Sequence, residues 1–168
     1  MLKRSALSLS FLLLSIVFAA CKSEVTAPSN QMSEQQSIQK ALSSVKSNLV
    51  SATRIKSNDD GLWEVKVRTA GGALIKFEYF EMTGSIREIH GLSGPFNYDL
   101  DPGNNLILYQ DIRVIALDAK SGDITSWKLE KDESDNRWEY RFFITANDGN
   151  WELRINAENG QVTRIKEK

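Results

Sequence analysis

Two stretches of this chain follow the same order of periodicities about 75 residues apart, and a repeat on that scale constrains architecture more than local propensity does. Trp63, Val65 and Val67 alternate with Glu64, Lys66 and Arg68, the period-two pattern of a strand with one buried face. Trp138, Tyr140 and Phe142 repeat it. The offset is 75 at Trp63/Trp138 and 76 at Thr69/Thr145 and Gly84/Gly160, so one residue is inserted, around Phe143.

Each copy opens with a helical pattern. Ser33 as N-cap with Gln36 three residues on has capping-box spacing, and Ile38, Leu42, Val45 and Leu49 fall on one face. Asp60-Gly61 signals a hairpin before Trp63, Gly71-Gly72 punctuates, and Ile75, Phe77 and Tyr79 alternate as a further strand. Thr83-Gly84 turns the chain into a short strand over 86–89. In the second copy a helix over 106–119 carries Leu108, Ile112, Ile115 and Ala119 on one face and ends at Ser121-Gly122. A strand over 124–129, a polar turn over 132–136 and the Trp138 strand follow. Asn147-Asp148-Gly149 then leads to Trp151, Leu153 and Ile155, and Asn159-Gly160 stands where Thr83-Gly84 stood. Turns this short impose antiparallel pairing. The expected fold is therefore α+β: two tandem repeats, 34–90 and 106–168, each a helix on a small antiparallel meander. The Gly-, Pro- and Asn-rich segment 91–105 connects them, and Phe96 and Tyr98 suit it to packing against something. A module of about 60 residues without disulfides is marginal alone, so the two are expected to share an interface and unfold together.

The N-terminus carries an address. Lys3 and Arg4 precede an apolar run from Leu7 to Ala20, and then comes Cys21, the sole cysteine. An apolar run of about 14 residues falls short of the roughly 20 that span a bilayer, and suits the core of a secretory signal. Phe18-Ala19-Ala20-Cys21 resembles a bacterial lipobox, departing from it at Phe18, where an aliphatic residue is usual. That resemblance implies a signal peptide over 1–20, acylation of Cys21 and a tether over 21–33. The protein would then sit in the bacterial cell envelope, in the outer membrane where there are two. Loss of Lys3 and Arg4 takes Lys+Arg from 21 to 19 against 22 acidic residues, leaving a mature charge of −3. Basic and acidic residues alternate instead of clustering, which argues against a nucleic-acid footprint.

The second half supports a further resemblance. Asp111 to Leu117 is followed by Ser121-Gly-Asp-Ile-Thr125 and Trp138-Glu-Tyr-Arg-Phe142. Asp148 to Ala157 then leads to Asn159-Gly-Gln-Val162. This order resembles the PepSY family, with Asn156-Ala157-Glu158-Asn159-Gly160 matching its closing motif and Asn156 standing where Asp is usual. The first half is similar but keeps only Thr83-Gly84 of that ending. The resemblance implies an extracytoplasmic module that inhibits or regulates peptidases or binds other partners, with no catalytic residues to carry over.

No catalytic constellation can be assembled beside it. His90 is the one histidine, read as a solvated strand-end residue, and no serine sits in a nucleophile elbow. Zinc lacks ligands, and no cofactor is expected. Asp99, Asp101, Asn104 and Asn105 are oxygen-rich but lack calcium-loop spacing, and Asp132, Glu133, Asp135 and Asn136 read as a solvated turn. Trp63, Trp138 and Trp151 share the register of core positions, whereas Trp127 reads as a candidate exposed anchor. Trp127, Phe96 and Tyr98 are thus the candidate partner-binding residues. The expected function is a non-catalytic envelope lipoprotein whose PepSY-like binding modules inhibit or regulate an extracytoplasmic peptidase, with a structural adaptor in envelope or outer-membrane assembly as the alternative.

The anchor gives a direct expectation. Cys21→Ser should move the protein from the membrane to the soluble fraction without loss of fold, checked by fractionation and mass spectrometry of the mature N-terminus.

Overall fold

The computed structural model describes residues 31–56, 61–132, 134 and 136–168. Cys21, the lipobox and most of the expected tether lie outside the described residues. The elements are α1 (Glu34–Ser44), β1 (Ser47–Lys56), β2 (Gly61–Thr69), β3 (Leu74–Phe80) and β4 (Ile86–Ser93). After the connection come α2 (Tyr109–Ala119), β5 (Asp123–Lys131), β6 (Trp138–Ala146), β7 (Gly149–Asn156) and β8 (Val162–Glu167).

The class is α+β as expected, but the two small sheets are one. All strands form a single antiparallel meander in the order β1 to β8, because β4 pairs with β5 across the connection. The element order α-β-β-β-β occurs twice. The register shift of β1 between Leu49 and Ser51 recurs in β5 between Ile124 and Ser126. The shift at Glu78/Tyr79 recurs at Arg154/Ile155. Gly84 (φ 64°) and Gly160 (φ 74°) both take the left-handed backbone that glycine tolerates best.

Several boundaries differ from the sequence reading. Ser33 and Gln36 do form the capping box, but α1 ends at Ser44, and Leu49 belongs to β1, 43% exposed. The true inner face of α1 holds Ser37, Ala41 and Val45, flanked by half-buried Ile38 and Leu42. α2 starts at Tyr109 and buries Tyr109, Ile112 and Ala116, while Ala119 is exposed. Leu106 and Ile107 precede that helix in extended chain, where the Ile107 amide donates to the Ala157 carbonyl at 2.8 Å. Gly91 to Ser93 complete β4, so the connection begins at Gly94. His90 therefore sits within β4 and not at a strand end.

Both helices and the connection contribute to one continuous core on one sheet face, with Val65, Phe77, Ile89, Trp127, Leu129, Tyr140, Phe142 and Leu153 on the strands. The middle of the connection is tied to both helices: the Asp101 amide donates to the Ser44 carbonyl at 2.9 Å and the Tyr109 amide to the Leu100 carbonyl at 3.1 Å. The ranking of the tryptophans is reversed from expectation. Trp127 is wholly buried, whereas Trp63, Trp138 and Trp151 are half-buried at the core margin. Register explains it. Trp127 lies opposite Gly91 at the central β4–β5 junction, and the other three stand toward strand ends.

The junction should make unfolding a single event. A Cβ on Gly91 would come within 2.2 Å of the Trp127 indole nitrogen, so Gly91→Ala must displace the ring. Trp127→Ala should cost about 3–5 kcal/mol and Trp138→Ala clearly less. Gly91→Ala should cost about 1–3 kcal/mol by overpacking. Urea titrations followed by circular dichroism check both magnitudes, and calorimetry of the wild type should give one transition.

Candidate functional site

The strand register lays the polar residues of the open sheet face in two rows. One runs Glu64, Glu78, Glu88, Glu130, Glu139, each the cross-strand neighbour of the last. Beside it run Lys66, Lys76, His90, Lys128, Arg141, Arg154 and Arg164. Period-two alternation puts the rows side by side because each acid lies two residues from a base on its own strand. Lys76 bridges Glu78 at 2.5 Å and Glu88 at 2.8 Å, Lys128 reaches Glu88 at 3.0 Å, and Arg141 reaches Glu130 at 3.0 Å. Arg87 also pairs with Glu78.

These carboxylates are covered by the arms of their cationic neighbours. Glu78, Glu88, Glu139 and Glu152 are between 3% and 8% exposed. A buried carboxylate persists as an ion only where paired cations offset its desolvation. Burial alone would push Glu88 up, but Lys76 and Lys128 outweigh it and hold the group below its usual range. At Glu152 burial acts upward too, and the hydrogen bonds from Lys168 and Arg154 override it, giving about 2. His90 is held below its usual value, chiefly by burial, with the nearby Glu88 opposing. With acids and bases neutralising each other, this face offers no field of one sign to a ligand.

The candidate binding residues meet at the β4–β5 junction. Trp127 Nε1 donates to the Tyr98 hydroxyl at 2.8 Å, and the Tyr109 hydroxyl donates to the Phe96 carbonyl at 2.9 Å. The Tyr109 ring stacks on Trp127 with centroids 4.3 Å apart and on Tyr98 at 5.0 Å. Burial pushes the Tyr98 and Tyr109 hydroxyls well above their usual range, so both stay protonated, Tyr98 accepting and Tyr109 donating. Trp127 is therefore an internal fastener and not the exposed anchor its sequence position suggested. Phe96 and Tyr98 keep part of their surface outside.

β4 and β5 pair only from Glu88 to Gly91 and from Trp127 to Glu130, and then diverge at both ends. One end opens into a cleft of about 520 Å³ whose walls include Phe80, Ile86, Arg87, Glu130, Lys131 and Trp138. The other opens into one of about 650 Å³ that Phe96 helps to line. Sequence reasoning missed both, together with Arg113, because a cleft made where two strands part has no local signature. The acidic positions of the connection serve its turns: Asp101 Oδ1 accepts the Gly103 amide at 2.7 Å, and Asn104 and Asn105 take φ of 56° and 58°. Asp132, in the other loop, pairs with Arg154 at 3.3 Å. No group of metal-ligating residues occurs among the described residues.

The pH response follows from Glu152. Its folded value near 2 lies below the roughly 4.3 of an unfolded glutamate, so its contribution is complete above pH about 5. That contribution is lost as pH falls from about 5 toward 2. Glu152→Gln should flatten this part of the acid limb, read from urea midpoints measured across that range. Superimposable wild-type and variant slopes would show that the ion pairs contribute nothing.

Among solved structures, a proposed lipoprotein from Clostridium difficile 630 aligns at 15% identity and a TM-score of 0.40, covering 80% of this chain and 91% of that one. A likeness that weak carries no argument about this fold. No curated protein sequence matches. Residues 107–166 match the family model described as peptidase propeptide and YPEB domain. Those bounds run from the residue before the α2 N-cap to the last residue but one of β8. Over residues 107–166 this chain therefore matches the PepSY family, as the sequence motifs of its second half suggested.

Proposed function

We propose that this chain is a non-catalytic, lipid-anchored envelope protein that regulates an extracytoplasmic peptidase through two PepSY modules fused into one body. The observation that carries the reading is the PepSY match over α2 to β8. Its extension to the first half rests on the paired register shifts at Leu49/Ser51 and Ile124/Ser126, and at Glu78/Tyr79 and Arg154/Ile155. Bulges are specific structural devices, so their recurrence at offsets of 75 and 76, the same as those of the sequence repeat, favours duplication over two unrelated α+β halves.

The envelope location rests on the lipobox-like segment ending at Cys21. Among the described residues no helix is long and apolar enough to cross a membrane, which fits attachment by lipid. A binding role is supported by chemistry as well. The chain's one histidine lies among Glu88, Lys76 and Lys128 on the charge-paired sheet face and lines neither cleft. The clefts at the two ends of the β4–β5 junction are where strand edges come free, and main-chain pairing there gives affinity without special side chains.

The test titrates the purified protein against the metallopeptidases secreted by its own organism. Inhibition or thermal protection of one of them at near-stoichiometric ratio is expected. No effect on any of them, with outer-membrane assembly proteins retained on the immobilised protein, would replace regulation by the adaptor role.

A further inference from the structure

The larger cleft has a chemistry the rest of the molecule does not explain. Its apolar walls are Leu92 from β4, Pro95 and Phe96 from the following turn, Leu117 from α2 and Ile124 from β5, with polar residues such as Ser93, Asn97 and Thr125 between them. Arg113, one turn before Leu117 on the same helix, reaches into this apolar lining. Arg113 Nε is buried and has no hydrogen-bond partner. A buried donor without an acceptor carries a desolvation cost that nothing in the fold returns. The nearest anionic residue in the lining, Asp123, is exposed at the rim and forms no ion pair with it among the described residues.

The backbone at the cleft is also unfinished. The ladder between β4 and β5 stops at Gly91 and Trp127, so Leu92-Ser93 and Ile124-Thr125 flank the opening without pairing to each other. The cleft thus offers apolar walls, one guanidinium fork and two free strand edges. Its volume of about 650 Å³ lies in the range of sites that enclose small ligands.

We propose that this cleft binds the C-terminal end of an extended peptide, with the last apolar side chain among Leu92, Phe96, Leu117 and Ile124 and the free α-carboxylate on Arg113. A guanidinium takes a carboxylate through two parallel hydrogen bonds, which would satisfy the orphaned Nε. The strand edges favour a peptide over a fatty acid, since a lipid chain has no amides to pair with them. The inference deepens the reading of the protein as a binding module but does not depend on a peptidase being its partner.

The experiment measures fluorescence anisotropy of labelled hexapeptides ending in Phe, Leu or Asp, each as free acid and as C-terminal amide, with the full-length protein. Free acids ending in Phe or Leu should bind, and their amides at least tenfold more weakly. The Asp-ending peptide should bind no better than the amides. Arg113→Gln should remove the difference between acid and amide, and Arg113→Lys should keep part of it. Melting curves check that both variants fold, and the wild-type comparison of acid with amide stands by itself if they do not. Equal binding of acid and amide, no binding of any peptide, or occupation of the cleft by laurate alone would overturn the proposal. A protein that regulates no peptidase yet discriminates acid from amide would separate this site from the regulatory reading.

Discussion

The contact on which the rest of the molecule depends is Trp127 against Gly91. Only hydrogen at position 91 leaves room for the indole, whose nitrogen would meet a Cβ there at 2.2 Å. The close approach lets β4 and β5 pair, and that short ladder turns two four-stranded meanders into one sheet. The ring then becomes the floor on which the connection folds, through Tyr98 on its nitrogen and Tyr109 on its face. Burying an aromatic of this size removes some 150–250 Å² from water, on the order of 4–6 kcal/mol of transfer free energy, much of a small domain's net stability.

The open face solves a different problem. An eight-stranded sheet with both helices on one side must leave the other side in contact with water. Here that side is tiled with acids and bases in adjacent rows, and the long cationic arms lie over the carboxylates. Exposed ion pairs contribute little each, but carboxylates only a few per cent exposed are different, because removing their cations leaves buried charge. The tiling makes the face self-sufficient in charge. A partner docking there would have to break internal pairs before making its own.

Much of this was legible in the sequence. The alternation of Trp63 to Arg68 and of Trp138 to Phe142 identified β2 and β6, and the two-residue turns fixed antiparallel order. The capping box at Ser33 placed the start of α1. What stayed hidden has physical reasons. β1 was masked by its own bulge, which puts Leu49, Ala52 and Arg54 on one face at spacings of three and two. With that period spoiled, Leu49 extended the helical stripe of Ile38, Leu42 and Val45 by coincidence of spacing. Trp127 was misjudged because β5 carries the same bulge, and because its burial depends on a glycine 36 residues earlier. The fusion into one sheet was equally invisible, since edge strands with either outcome look the same until their neighbours are known.

That fusion also decides where a ligand can be met. The helices and the connection fill one face, and the charge rows close the other, so free main-chain groups remain at the outer edges β1 and β8 and at the two ends of the junction. β1 is interrupted by its bulge and β8 is lined with Arg164, Lys166 and Glu167, both devices that discourage strand addition. Of the two ends of the junction, the one that Phe96 lines has chiefly apolar walls, with Leu92, Leu117 and Ile124 beside the strand edges. Both ends are held open by the residues that hold the sheet together, since the packing of Trp127 fixes how far β4 and β5 run side by side before they part. A site built this way is preorganised: Phe96, Leu117 and Ile124 in its wall pack against the core, so ordering them on binding costs little.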